Sequence, residues 1–215
     1  MKNILVFLVF GLFMANSYAA IEVLRRNIKL PSQEVLNKYE AIPLAADSDA
    51  ILNNQPLAAA TATVTSFLSQ PDVPRNITIL PGGTTADVAA GNVVVTGVDS
   101  DGDLISETLA LTANQSVATV GNKAFAKINS ISFPIGDSPF GANLDVGFGD
   151  KLGLNKCLDG AGFFIKGIVD GAALTGETVA ANATGLSDNT VTPNPVANGS
   201  RKFTLLFVQN FRCAE

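Results

Sequence analysis

Histidine and tryptophan are absent from this 215-residue sequence, and there are only two cysteines. Without histidine there is no Ser-His-Asp or Cys-His machinery, and no His-ligated zinc, haem or copper. Charge is scarce too: Asp, Glu, Lys and Arg make up 15% of the chain, against about 25% in an ordinary soluble domain. The formal net charge of −5 argues against nucleic acid as the main partner, because duplex binding rests on neutralising phosphates. What is present is apolar and turn-forming: 47% hydrophobic residues, 19 glycines and 10 prolines. That is too apolar for a disordered chain. It suits one domain, or one domain with an N-terminal extension, rich in β-structure and covered by neighbours in an assembly.

The first residues form a pattern of their own. Lys2 precedes an apolar run from Ile4 to Ala15, then Asn16, Ser17, Tyr18, Ala19 and Ala20. Ser17 and Ala19 stand where a signal peptidase wants small residues, so cleavage after Ala19 is the expectation. The run is shorter than the roughly 20 residues that span a bilayer. Two alternatives stay open: translation from Met14, and retention of residues 1–19 as a buried arm or membrane anchor. The cysteines bear on the same choice. In an exported chain Cys157 and Cys213 read as one disulfide; in a cytosolic one they read as two buried thiols. Their apolar C-terminal neighbours, Leu158 and Ala214, favour thiols in the core.

Residues 20–70 read as an N-terminal arm. The stretch 21–42 carries Glu22, Arg25, Arg26, Lys29, Glu34, Lys38 and Glu40 and has no glycine. Ser32 is a helix N-cap candidate after Pro31, and Val35, Leu36 and Tyr39 supply a short apolar stripe. One or two short helices are therefore expected, followed by extended pieces interrupted by Pro43 and Pro56. Deleting residues 21–65 is expected to leave a folded β domain.

From residue 71 to 215 the pattern is β. Asn76–Leu80 alternates and ends at Pro81-Gly82-Gly83, read as a turn. Asn92–Val98 and Leu104–Leu111 read as a hairpin with Asp101-Gly102 at its tip. Val117–Val120, Ala124–Ile128, Ile131–Phe133, Phe163–Val169 and Lys202–Phe211 continue the series. Short strands at 8–12-residue spacing point to an antiparallel β-sandwich, Ig-like or jelly-roll-like.

Several motifs fall in a fixed order. Pro71-Asp72-Val73-Pro74-Arg75-Asn76-Ile77-Thr78 opens the series, followed by Gly91-Asn92-Val93-Val94-Val95-Thr96-Gly97 and Ile105-Ser106-Glu107-Thr108-Leu109. Lys123-Ala124-Phe125, Ile128-Asn129-Ser130-Ile131 and Gly149-Asp150-Lys151-Leu152-Gly153-Leu154 come next. Val169-Asp170-Gly171 and Asp188-Asn189-Thr190-Val191 extend it. This set resembles a family of tailed-bacteriophage virion structural proteins over roughly residues 70–210. The resemblance implies a non-enzymatic virion component with no catalytic residues and no cofactor. Its partners would be the major capsid protein or neighbouring copies of itself in a homo-oligomer.

Few residues suggest chemistry. Asp99, Asp101 and Asp103, with Glu107 behind them, look like the start of a calcium loop. However, Gly102 sits between the second and third carboxylates instead of after the third, and a solvated hairpin tip is the plainer reading. Gly147–Gly153 has neither a P-loop nor a dinucleotide pattern, and reads as a tight turn exposing Asp150 and Lys151. Asp72 and Arg75 are placed to pair across the Pro71–Pro74 turn. An exposed pair there would contribute only about 0–1 kcal/mol. Arg25, Arg26 and Lys29 form a basic cluster: a solvated face, a dock for an acidic neighbour or, least favoured, a contact with membrane headgroups. Phe207 and Phe211 lie on a closing strand apolar on both faces, in a core or at a subunit interface. The functional expectation is a capsid decoration or cement protein in the virion. A tail or fibre protein, or an exported surface or adhesion module, is the alternative.

Overall fold

Alternation of apolar and polar side chains, broken by Gly, Pro, Asn and Asp, is what a half-buried strand requires. The computed structural model describes residues 35–136 and 139–209, and these fold as antiparallel β-structure. The strands are β1 (Val35–Ala41), β2 (Asp47–Pro56), β3 (Ala62–Val64), β4 (Arg75–Gly83), β5 (Gly91–Val98), β6 (Leu104–Leu111) and β7 (Thr119–Phe125). They continue with β8 (Lys127–Phe133), β9 (Ala142–Gly153), β10 (Phe164–Val169), β11 (Ala172–Ala173), β12 (Thr178–Ala180), β13 (Thr190–Thr192) and β14 (Phe203–Gln209). Among the described residues the helical elements are single 3-10 turns at Thr85–Asp87, Ala161–Phe163 and Leu186–Asp188.

Three sheets result. One has the order β1-β14-β10-β11; the second runs β12-β13-β9-β4-β7, with β2 also beside β9; the third is β3-β8-β5-β6. The β5–β6 hairpin keeps register from Gly91 opposite Leu111 to Val98 opposite Leu104. Gly102 at its tip has a φ of +92°, a conformation glycine adopts without a Cβ clash. β10 and β11 close over Asp170 and Gly171, both at positive φ as a two-residue hairpin turn favours.

The expected arm is largely strand. Val35, Leu36 and Tyr39, read as a helical stripe, lie in β1, which pairs along its whole length with β14. β2 pairs with β9 and β3 with β8. Ile51, Leu52 and Leu57 are buried in the core, so deletion of residues 21–65 would remove structural strands. Ser32 and residues 1–19 lie outside the described residues. Two turn assignments also change. Pro81-Gly82-Gly83 continues β4, paired with β9 as far as Gly83 opposite Ala142. Pro81 is tolerated because pairing with β7 has ended at Ile79 opposite Thr119, so no amide donor is needed on that side. Gly149, Asp150 and Lys151 are inside β9. Glycine at 149 lets the Asn76 side chain approach, since a Cβ there would lie 2.6 Å from the Asn76 amide nitrogen.

β9 divides the interior. Its first half supplies Ala142, Leu144, Val146 and Phe148 to a larger core with Ile77, Ile79, Val93, Val95 and Ile131, drawn from the second and third sheets. Leu152 and the following Leu154 enter a smaller core with Val191, Phe203, Leu205 and Phe207. Each fully buried aliphatic or Phe side chain of this kind contributes about 1.5–3 kcal/mol.

Candidate functional site

At the boundary of the two cores stands Arg75, fully buried. Alternation along β4 turns it to the same side as Ile77 and Ile79, so the sequence places a cation where an apolar side chain would follow. Its Nε donates to the Gly149 carbonyl at 2.9 Å. Nη1 donates to the Leu44 carbonyl at 2.9 Å and to Asp72 Oδ1 at 3.2 Å. The guanidinium lies 4.6 Å from the centre of the Phe148 ring, a cation–π contact. Asp72 Oδ2 in turn accepts from the Leu44 amide at 2.7 Å. Arg75 and Asp72 therefore latch the β1–β2 connection onto β4 and β9. The expected pair is formed, but its arginine is buried, not exposed as the sequence suggested. Burial and the Asp72 charge push the nearby Tyr39 hydroxyl up to about 12.

Glu107 makes a second link. It sits on the inward side of β6, opposite Val95, and its Oε1 accepts from the Asn122 amide at 2.6 Å. The Lys123 amide donates to both of its carboxylate oxygens at 3.3 Å. One side chain thus clasps the edge of the third sheet to β7 of the second. Burial raises the Glu107 carboxyl above its ordinary value, against the lowering effect of those two amides.

The calcium-like loop is used in another way. Asp99 is buried, and its Oδ1 accepts from the amides of Asp101 and Asp103 at 3.0 and 3.1 Å. Asp101 faces Lys156 at 3.3 Å, and Ser100 Oγ donates to the Leu154 carbonyl. The hairpin tip is thereby tied to the chain that follows β9. Among the described residues no three His, Cys, Asp or Glu side chains are grouped to hold a metal ion.

Phe207 is fully buried in the smaller core; it belongs to the interior and is not an interface side chain. Arg25, Arg26, Lys29 and Phe211 lie outside the described residues. Cys157 is buried and disulfide-bonded, which replaces the reading of it as a core thiol. Cys213, the other cysteine of the sequence, lies outside the described residues.

Sequence reasoning missed Asn189. Fully buried, its Oδ1 accepts from the Leu158 and Asn182 amides, both at 2.9 Å. Its Nδ2 donates to the carbonyls of Asn182 and Gly185, both at 2.8 Å. Its only signal was its place in the Asp188-Asn189-Thr190-Val191 motif, and the structure sets it between the 3-10 turn Leu186–Asp188 and β13.

Apolar side chains stand exposed in and after β1, at Leu36, Ile42 and Leu44, and at Leu104 on the hairpin. On the outer face of β1, Glu40 contacts Lys38 and Lys202, both at 3.1 Å, and accepts from Thr204 Oγ1. These contacts, that of Lys38 foremost, lower its carboxyl to about 2. No helix among the described residues is long and apolar enough to cross a membrane. No protein-family model, curated protein or solved structure matches the chain.

Proposed function

We propose that this protein is a non-enzymatic structural component of a tailed-bacteriophage virion. Within the virion we assign it to capsid decoration or cementing. One observation carries this reading: buried Arg75, Asp99 and Asn189 hydrogen-bond to the chain's own backbone, while several large apolar side chains stand exposed. The exposed ones include Leu36, Ile42, Leu44 and Leu104. That division suits a protein that offers contact surface and shape. The ordered motifs from Pro71 to Leu154 support the same assignment by resemblance. In this reading the second and third sheets act as the two layers of a sandwich, because the larger core draws on both. Many weak contacts between copies and the shell would add through effective concentration and symmetry. Particles assembled without the protein are expected to release DNA at a lower temperature, and added protein should restore the midpoint. Unchanged heat resistance would remove the cementing role.

A second reading has one observation in its favour. The disulfide at Cys157 suits an oxidising compartment, and with the signal-like start it fits an exported surface or adhesion module. The mass of the mature chain separates the two: a start at Ala20 with oxidised cysteines favours export, whereas a start at Met14 or Ala15 with free thiols favours assembly in the cytoplasm.

A further inference from the structure

Unpaired sheet edges are sites of association unless a protein shortens, kinks or covers them. Among the described residues, β3, β11 and β12 are edges of only two or three residues. β6 and β7 are joined by the Glu107 clasp. β2 is bent by two register shifts and covered by Leu68 and Ser69, which bond to the Ile51 and Ala50 carbonyls. β1 differs. It has seven residues in unbroken register with β14, no glycine or proline, and, among the described residues, no strand on its other side.

From this edge we infer that β1 pairs with β1 of a second copy, antiparallel about a two-fold axis at Tyr39. The sequence of β1 complements itself in that register. Leu36 faces Ile42 of the second copy, Asn37 faces Ala41, and Lys38 faces Glu40. Leu36, Lys38, Glu40 and Ile42 alternate on the outer face, with Leu36 60% and Ile42 56% exposed, and the Lys38 and Glu40 side chains are 57% and 37% exposed. Apolar thus meets apolar and cation meets anion, twice each by symmetry, which are the cross-strand pairs that stabilise sheets. Moving the axis to Lys38 sets lysine against lysine and Leu36 against Glu40. Moving it to Glu40 sets glutamate against glutamate. A one-residue slip turns the outer set to the wrong face. Pro43, with no amide hydrogen, ends the ladder just past Ile42. The product is a continuous eight-stranded sheet built from two four-stranded ones.

This contact would serve the assembly role proposed above, but its test needs no particle, so failure of either is seen separately. The full-length protein, Lys38→Glu, Glu40→Lys and an equimolar mixture of the two variants are compared by sedimentation equilibrium, with thermal melting as the check on folding. The parent protein is expected to dimerise, and each variant to weaken the dimer by about tenfold or more, because like charges then face each other. The mixture should regain the parent affinity, since a strand carrying glutamate at both positions meets one carrying lysine at both. Leu36→Lys, which leaves the Glu40 contacts within the chain intact, should weaken the dimer as well. A parent protein monomeric at about 100 µM, single variants that dimerise as the parent does, or a mixture without recovery would overturn the inference.

Discussion

The two cores on either half of β9 are built by different means. The larger one is filled mostly by aliphatic side chains, with Phe125, Phe133 and Phe148 among them, and it combines the distant β2–β9 and β4–β9 pairings with a compact local unit. β5 and β6 pair across a five-residue connection, and β8 adds to β5 in nearly continuous register. The smaller core has no such local unit at its centre and joins the two ends of the described residues. β1 meets β14 from the opposite end of the chain, and the segment after β9 is held by Asn189, by the hairpin tip and by the disulfide at Cys157. Where apolar side chains are fewer and the segments more irregular, hydrogen-bonded hubs and a covalent link fix what packing alone would leave loose. Arg75 stands between the two regions and bonds to both β9 and the β1–β2 connection.

Removing that boundary residue should break the comparison most severely. Arg75→Ala strips partners from the Gly149 and Leu44 carbonyls and from Asp72, and should cost about 3–5 kcal/mol in urea unfolding. Protection from hydrogen exchange should fall in β4, β9 and β1 together. A loss under about 1 kcal/mol would mean that the latch behaves as a surface pair. Asn189→Ala should come next. It leaves backbone groups of residues 158, 182 and 185 without partners, at a cost of about 2–3 kcal/mol. Exchange should accelerate around β13 while the β5–β6 hairpin stays protected. Equal acceleration in both would show that the two cores are one cooperative unit.

The smallest effect concerns acid, and its sign differs between the regions. Glu40, beside the smaller core, is lowered to about 2 from 4.5. Its stabilisation is present above 4.5 and is lost as the pH falls through that value towards 2. Glu107, beside the larger core, is raised by burial, so the native state holds its proton more tightly than the unfolded chain. Acidification from neutral pH to about 4.5 therefore adds stability through Glu107. Urea midpoints from pH 7 to 3 should lose the rising trend in Glu107→Gln and the falling one in Glu40→Gln. Parallel profiles for both variants and the parent protein would contradict these assignments.

Legibility in the sequence followed the separation of pairing partners along the chain. The β5–β6 hairpin could be read because both strands and the Asp101-Gly102 turn lie within about twenty residues, where alternation sets register. β1 could not. Val35, Leu36 and Tyr39 fit a helical stripe as well as a strand, and the partner that decides between them is β14, more than 160 positions away. Gly149-Asp150-Lys151 looked like a turn because glycine is usually punctuation; here it admits the Asn76 side chain within a strand. Arg75 looked exposed because it is charged, yet it occupies an inward position of β4 beside Phe148. The calcium-like aspartates were noticed by their alternate spacing. Their geometry, with Asp99 turned onto its own loop, depends on the bend of the chain and not on spacing.

The central claim is that the chain supplies contact surface to a repeating particle. The most direct measurement is quantitative mass spectrometry of density-purified phage particles from a lysate expressing this gene. The account predicts the protein in a fixed molar ratio to the major capsid protein, retained through high-salt washing. Its absence from washed particles, with the protein recovered instead from the envelope or medium of uninfected cells, would contradict it.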